Sequence, residues 1–314
     1  MPEPSPWIVL GTAVTLGGLL AALTVVAVTA DALLSGAGRT PVRTALAAPW
    51  CELLRLLRQP TRRLPQADTL LWAVGRYGLI VIAALKLALV PVFGEPLISS
   101  PVGIVAFNAL DVAIWAAVWL AGWGPNSTYP LIGGYRFLAL AIAYELPLMF
   151  ALTAPAIAAG SLDVAVIAAA QEEGLWYAVL MPVALLVYCL AVLALTVSGP
   201  FAAPFGADIA GGVGAELSGT DRLMLVAGRY AVLVSGAAFA VPLFLGGGAG
   251  PVLPGWAWVV IKTTVVLVTL VAIRRAIPLV RPERFLEVGW VVLLPLIIVQ
   301  DFVVAVGAVA AGEG

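Results

Sequence analysis

GGYRFLALAIAYELPLMFALTAPAIAA, residues 133–159, decides the fold. A membrane span needs about 20 predominantly apolar residues. This run exceeds that length, with Arg136 at its foot and Glu145 midway along it as its charged residues. An ionised group at such depth costs about 2.5–3.5 kcal/mol on insertion scales, so it needs a reason. Pro147 follows two residues later and lacks an N–H, which leaves the carbonyl of Ala143 without its helical partner. The freed acceptor lies one turn from the carboxylate and invites water. Glu145 therefore reads as a protonatable relay group. The plainer alternative is a carboxylic acid that stays protonated and hydrogen-bonds across helices.

The rest of the chain resembles this run. Of 314 residues, 62% are hydrophobic and 11% charged, with a mean hydropathy of +1.09. A soluble domain is nearer 45–50% apolar and about 25% charged. The expected fold is all-α, a polytopic membrane domain over residues 1–314. Net charge is −1 without a polybasic tail, so nucleic acid is not an expected partner. Histidine is absent, which removes His-ligated haem, His zinc sites and Ser-His triads together. Two cysteines, Cys51 and Cys189, cannot supply the four thiolates of an iron–sulfur cluster. No cofactor is expected in this chain, and any redox centre of the system belongs to another.

Long apolar runs give eight spans, near Trp7–Thr29, Thr69–Phe93, Val102–Gly122, Gly133–Ala159, Leu175–Val197, Leu223–Leu245, Trp256–Ile273 and Val288–Ala311. Arginines then set the orientation. Arg39, Arg43, Arg55, Arg58, Arg62 and Arg63 fall between spans one and two, Arg136 at the foot of span four, Arg222 and Arg229 at the start of span six, and Arg274, Arg275, Arg281 and Arg284 between spans seven and eight. With eight spans all of these lie on one face. The other face carries Glu3, Glu95, Asp163, Glu172, Glu173 and Glu313. The positive-inside rule places the arginine-bearing loops in the cytoplasm and both termini outside, in a cell (inner) membrane.

Two cytoplasmic loops are large. In the first, about residues 30–68, Pro49–Arg58 reads as a short amphipathic helix with leucines on one side and arginines on the other, suited to the membrane interface. The second, residues 198–221, is rich in Gly, Ala and Pro and too weakly polar for a free loop, so it is expected to pack into a cavity or under a partner. No convincing internal repeat is visible, which argues against a transporter built from inverted halves.

Other ionisable groups inside spans are Lys86, Asp111, Lys262 and Asp301, with Arg76 and Glu216 near span ends. Asn108 and Asp111 are three apart and share a helix face, from which they can hold water or pair with Glu145 on the next helix. Asp301, beside Gln300, reads as relay or as packing polarity. Lys262 and Lys86 read as relay groups or as lysines snorkelling to the outer interface. Cys51 and Cys189 read as structural, and Gly246-Gly247-Gly248 as a turn.

Three stretches together carry a resemblance: Gly122-Trp123, then Asn126-Ser127-Thr128-Tyr129-Pro130 through Gly133-Gly134-Tyr135-Arg136, then Tyr144-Glu145-Leu146-Pro147-Leu148. They resemble the third-to-fourth helix region of the membrane subunit, designated 1 or H, that respiratory complex I shares with energy-converting hydrogenases. Leu243-Phe244-Leu245-Gly246-Gly247 resembles the segment before the family's seventh helix. Lys262, Arg274, Pro278, Arg281, Glu283 and Gly289–Leu296 resemble its last two helices and their connection.

The resemblance implies a membrane base on which a hydrophilic redox arm docks, with buried carboxylates leading toward antiporter-like membrane subunits. Iron–sulfur clusters, and a nickel–iron site in the hydrogenase branch, would then sit on partner subunits. Glu145 matches the family's span-four glutamate, Arg136 the arginine before it, Glu216 the glutamate of a Glu-Tyr-Ser-Gly motif, and Glu52 an acidic residue of the first loop. The relay set so implied is Glu145, Asp111, Glu216, Lys262 and Asp301. The loop and docking set is Arg136, Glu52, Arg55, Arg58, Asp208, Arg274, Arg281 and Glu283. Complex I members carry Glu-Thr-Asn-Arg-x-Pro-Phe-Asp and an acid-rich stretch, whereas here Pro200–Asp208 keeps only Pro204-Phe205 of it. That departure leans toward the hydrogenase branch over a quinone-site subunit. A stand-alone secondary transporter is the rival class.

The topology makes a direct prediction. A cysteine placed in an extension of Gly314 is expected to react with a membrane-impermeant reagent in intact cells. Labelling only after permeabilisation removes the eight-span orientation.

Overall fold

The computed structural model describes residues 6–312 apart from Arg39 and Glu173; Glu3, Arg39, Glu173 and Glu313, on which the orientation partly rests, lie outside the described residues. Helices α1 (Pro6–Gly36), α3 (Thr69–Ala88), α4 (Gly103–Trp123), α5 (Thr128–Ala159), α9 (Gly219–Phe244) and α10 (Gly255–Ala276) are each long and apolar enough to cross a membrane. So is the continuous run made by α11 (Pro282–Val288), a π turn over Gly289–Leu293 and α12 (Leu294–Gly312). Between them lie the amphipathic α2 (Val42–Arg58), two short helices α6 (Val164–Ala169) and α7 (Tyr177–Leu180), and the apolar α8 (Pro182–Leu195). The protein is all-α and polytopic.

Span five differs from its expected form. In place of one helix over 175–197, the chain makes α7, breaks at Met181 with φ −130°, and restarts at Pro182. Proline is well suited to the first turn of a helix and poorly suited to its interior. The chain nevertheless runs alongside α9 here, from the turn after Phe244 to Arg229. Tyr177 N–H donates to Gln171 Oε1 at one end, and the carbonyl of Thr196 accepts from Arg229 at the other.

Span one also differs, running seven residues past its expected end at Thr29 to Gly36. The hydroxyl of Thr29 bonds back to the carbonyls of Val25 and Val26, so the polar side chain is satisfied within the helix and does not stop it. Most of the segment 30–68, expected as a loop, is therefore helix, and α2 begins at Val42 with Pro49 inside it.

Helix α9 lies at the centre, and α1 and α12 lie at the periphery with faces such as Val14, Phe302 and Val306 exposed. The backbones of α3 and α4 approach closely because of Gly75. A Cβ there would lie 2.7 Å from Cα of Ala121. Small residues at helix contacts are the usual device inside membranes, where apolar burial alone gives no preference for protein over lipid. Residues 199–214 form four 3-10 turns that fold back against the bundle. Phe201 packs 4.5 Å from Phe285, centroid to centroid, and Ile209, Val213 and Leu217 are buried.

Candidate functional site

Lys86, on the last turn of α3, and Asp111, mid-way along α4, are fully buried and form an ion pair through Asp111 Oδ1. The Lys86 ammonium also sits 3.8 Å from the ring centroid of Phe107, which stacks at 3.6 Å on Phe239 of α9. Three residues before Asp111, on the same face, Asn108 Nδ2 donates to Glu145 Oε1 of α5 at 3.2 Å. A polar row thus crosses three helices, from Lys86 through Asp111 and Asn108 to Glu145.

The row is only half satisfied. Asp111 Oδ2, Asn108 Oδ1, Glu145 Oε2, Tyr144 OH and Trp115 Nε1 are buried without a hydrogen-bond partner. Leaving such a group unpaired costs about 1–3 kcal/mol, and native proteins satisfy nearly all of them, through ordered water where no side chain reaches. This arrangement is chemically able to hold water and to exchange protons between carboxylates.

The α5 turn beside Glu145 is opened and then covered. Pro147 releases the carbonyl of Ala143, and Gly289 of the π turn lies against that oxygen. A Cβ at Gly289 would come within 2.6 Å of it. Trp290 Nε1 donates to the neighbouring carbonyl of Ile142 at 3.1 Å.

The other intramembrane groups have separate places. Asp301 Oδ2 accepts from Thr153 at 2.9 Å, while its Oδ1 is unpaired. Gln300 Oε1 accepts the N–H groups of Val183 and Ala184, the donors that the start of α8 leaves open. Lys262 lies away from the row and donates to the carbonyls of Leu245 (2.6 Å), Gly247 (3.0 Å) and Ala249 (2.8 Å), tying down the glycine-rich turn.

The arginine-rich end is laced with ion pairs. Glu216 accepts from Arg62 at 2.5 Å and from Ser127 at 3.0 Å. Arg136 holds Asp208 at 2.6 Å and the carbonyl of Ala203 at 3.2 Å. That guanidinium keeps the Asp208 carboxyl below its ordinary range. A depressed carboxyl stabilises at neutral pH and loses its contribution as pH falls through the lowered value. Glu52 is lowered in the same way by Arg55 on its own helix, at 2.6 Å. Arg58, Arg281 and Glu283 are exposed, and none forms an ion pair among the described residues.

Arg274 pairs with Asp31 at 2.7 Å, a carboxylate shared with Arg275 at 2.6 Å and with Tyr230 OH at 2.9 Å. Asp31 and Tyr230 are absent from the residues singled out by sequence. The signal for Asp31 is an acid within an apolar run, hidden by ending span one at Thr29. Arg76 pairs with Asp221 at 2.5 Å where α3 meets α9.

Charges buried along a bundle of seven helices long and apolar enough to cross a membrane, with ordered ion-paired loops at one end, define a polytopic integral membrane protein. The chain belongs to the complex I subunit 1/H family: the family model described as NADH dehydrogenase matches residues 36–305. The H-type subunit, form 2, of the NADH-quinone oxidoreductase of Geobacter sulfurreducens is 32% identical over 263 residues, covering 80% of this chain and 79% of the relative. Form 1 of the same subunit from Geobacter metallireducens is 32% identical over 270 residues, 82% of each chain. Form 2 from Cereibacter sphaeroides is 36% identical over 197 residues, 62% of each chain.

The Lys86–Asp111 pair predicts a stability cycle. Removing one member of a buried pair costs about 3–5 kcal/mol, because it strands the other charge. Asp111→Leu and Lys86→Met are each expected to lower the melting temperature of the purified chain sharply, and the double variant to recover most of the loss. Additive losses in the double variant refute the coupling.

Proposed function

We propose that this chain is the membrane anchor and ion-coupling subunit of a multi-subunit energy-converting oxidoreductase. The row Lys86–Asp111–Asn108–Glu145, with its unpaired polar atoms, carries the reading. Peripheral redox subunits dock on the arginine-rich end, and antiporter-like membrane subunits continue the charge path. Iron–sulfur clusters, with a nickel–iron site in the hydrogenase branch, sit on those partners. The arginine-rich end faces the cytoplasm and both termini face outward.

In this reading, electron transfer in the docked arm changes the charge next to the loop pairs Asp208–Arg136 and Glu216–Arg62. A ligand or charge shifts a conformational equilibrium only by its differential interaction with the two states, and loops held by ion pairs supply such a difference. The shift biases the coupled titration of Glu145 and Asp111, whose proton affinities belong to the pair. Water beside Glu145 Oε2 and Asp111 Oδ2 carries the proton between them. Asp301 and Lys262 stand outside this row, Asp301 as a secondary acceptor and Lys262 as the clamp of the far turn.

The acid-poor segment Pro200–Asp208 favours the hydrogenase branch. The names of the relatives favour a quinone-site subunit, the second reading. The subunits that co-purify with a tagged copy of this chain separate the two: a nickel-site hydrogenase subunit supports the first, NADH-oxidising subunits the second.

Two variants test the mechanism. Glu145→Gln keeps shape and hydrogen bonding but removes titration. It is expected to leave assembly intact and to abolish ion pumping coupled to electron transfer in reconstituted vesicles; normal pumping removes Glu145 from the path. Replacing Arg55 and Arg58 by Glu is expected to release the peripheral arm while the helices stay inserted. If the wild-type chain brings no partner through a gentle purification, docking fails and the stand-alone transporter moves ahead.

A further inference from the structure

A cleft of about 470 Å³ opens at the arginine-rich end, between the segment 61–67, the first turns of α3 and Asp221 of α9. The segment is tied down at both ends. Ser218 Oγ accepts the N–H of Arg62 at 2.7 Å and donates to the carbonyl of Pro60 at 3.1 Å. The N–H of Asp68 donates to the carbonyl of Gly124 at 2.9 Å. Leu64, Pro65 and Ala67 give the cleft an apolar lining, and Arg62, Arg63 and Arg76 give it guanidinium groups.

The carboxylates here are engaged, while donors remain open. Asp221 is the acid that lines the cleft, and its two oxygens take Arg76 Nη1 and Tyr77 OH. Glu216 holds Arg62, and Asp68 accepts the N–H of Leu71 at the start of α3. Arg63 is exposed and forms no ion pair among the described residues. Trp72 is only 3% exposed, and its indole N–H has no acceptor. Nε of Arg76, whose guanidinium lies 4.6 Å from the Trp72 ring centroid, is also buried without one. A buried donor left unpaired is costly, and native structures satisfy nearly all such groups. What the cleft lacks is an acceptor, and Arg63 favours one that is negatively charged.

We propose that this cleft seats an aspartate or glutamate side chain of the docked peripheral subunit, its carboxylate on Arg63 beside Trp72 and Arg76 and its carbon stem against Leu64 and Pro65. The inference rests on the docking role proposed above and adds a contact outside α2. An ionised carboxylate is acceptor-only, with two oxygens that serve several donors, and it pairs with a guanidinium in a bidentate manner. Free phosphate would meet the donors but leave the apolar lining bare. A neutral side chain would cover the lining but leave Arg63 without a counter-charge.

The lysines of the chain, Lys86 and Lys262, are both buried, so Arg63→Lys introduces an accessible amine without a competing lysine. The test uses the complex purified on a tagged copy of the chain and treated with a zero-length carbodiimide. Arg63→Lys keeps the charge and is expected to keep the arm. Its amine is expected to be joined to an aspartate or glutamate of a peripheral subunit, a product absent from the wild type and located by mass spectrometry of the linked peptides. Arg63→Glu is expected to reduce the recovered arm about tenfold, as loss of a paired interfacial charge does, with the amount of inserted chain unchanged. Full recovery of the arm by Arg63→Glu overturns the assignment. So does the absence of a link in Arg63→Lys, the result if phosphate or a lipid headgroup fills the cleft. If Arg63→Glu keeps the arm while replacing Arg55 and Arg58 releases it, this contact alone is refuted. A wild-type chain that brings no arm refutes docking and this contact together.

Discussion

The ion pair between Lys86 and Asp111 is the constraint on which much of the bundle depends. Neither charge reaches solvent, so neither is tolerable without the other, and the two helices that carry them must meet at that depth. At the other end of the same helix pair, the close backbone approach at Gly75 gives α3 and α4 a second contact. Phe107 then covers the ammonium and stacks on Phe239, which ties α9 to the same point. The polar row continues to Glu145 because Asn108 lies on the same face of α4 as Asp111. Packing and the proposed coupling here rest on one set of side chains.

A second rule governs the ends of elements. Where water is excluded, each interrupted helix needs a partner for its open backbone groups. The break before α8 is met by Gln300 from α12, which is distant in sequence. The turn after α9 is met by Lys262 from α10 and by Gln171, whose amide bonds the carbonyl of Pro242 and whose oxygen accepts from Gly246. Several polar residues inside the membrane therefore act as joints, and an intramembrane charge does not by itself indicate transport.

The sequence shows which charges lie in the membrane, and the shared face of Asn108 and Asp111 already offers Glu145 its partner, but nothing in it pairs Asp111 with Lys86. Glu145, Asp111 and Lys86 stand out because each interrupts a long apolar run. The Lys86–Asp111 pairing depends on how α3 and α4 rotate against each other, which periodicity along one helix does not give. Asp31 is hidden because Thr29 looks like a boundary, although its hydroxyl is satisfied by the preceding turn. The break within span five is written in Met181-Pro182, but hydropathy does not register a missing donor. The family resemblance reaches the same glutamate as the bottom-up reading, by way of the Tyr144–Leu148 motif, and gives no hint of its Asn108 partner.

The π turn over Gly289–Leu293 bears on the mechanics of this region. It accommodates one residue more than an α-turn would. Loss of that extra residue would turn the helix beyond it by about 100°, since an α-helix has 3.6 residues per turn. The rotating part carries Gln300 and Asp301, while the fixed part touches the opened carbonyl beside Glu145. A change of register at this turn would therefore swing Asp301 away from Thr153 and uncap α8. Gly289 sets the contact between the two helices there, because a larger residue would hold the turn off the carbonyl of Ala143.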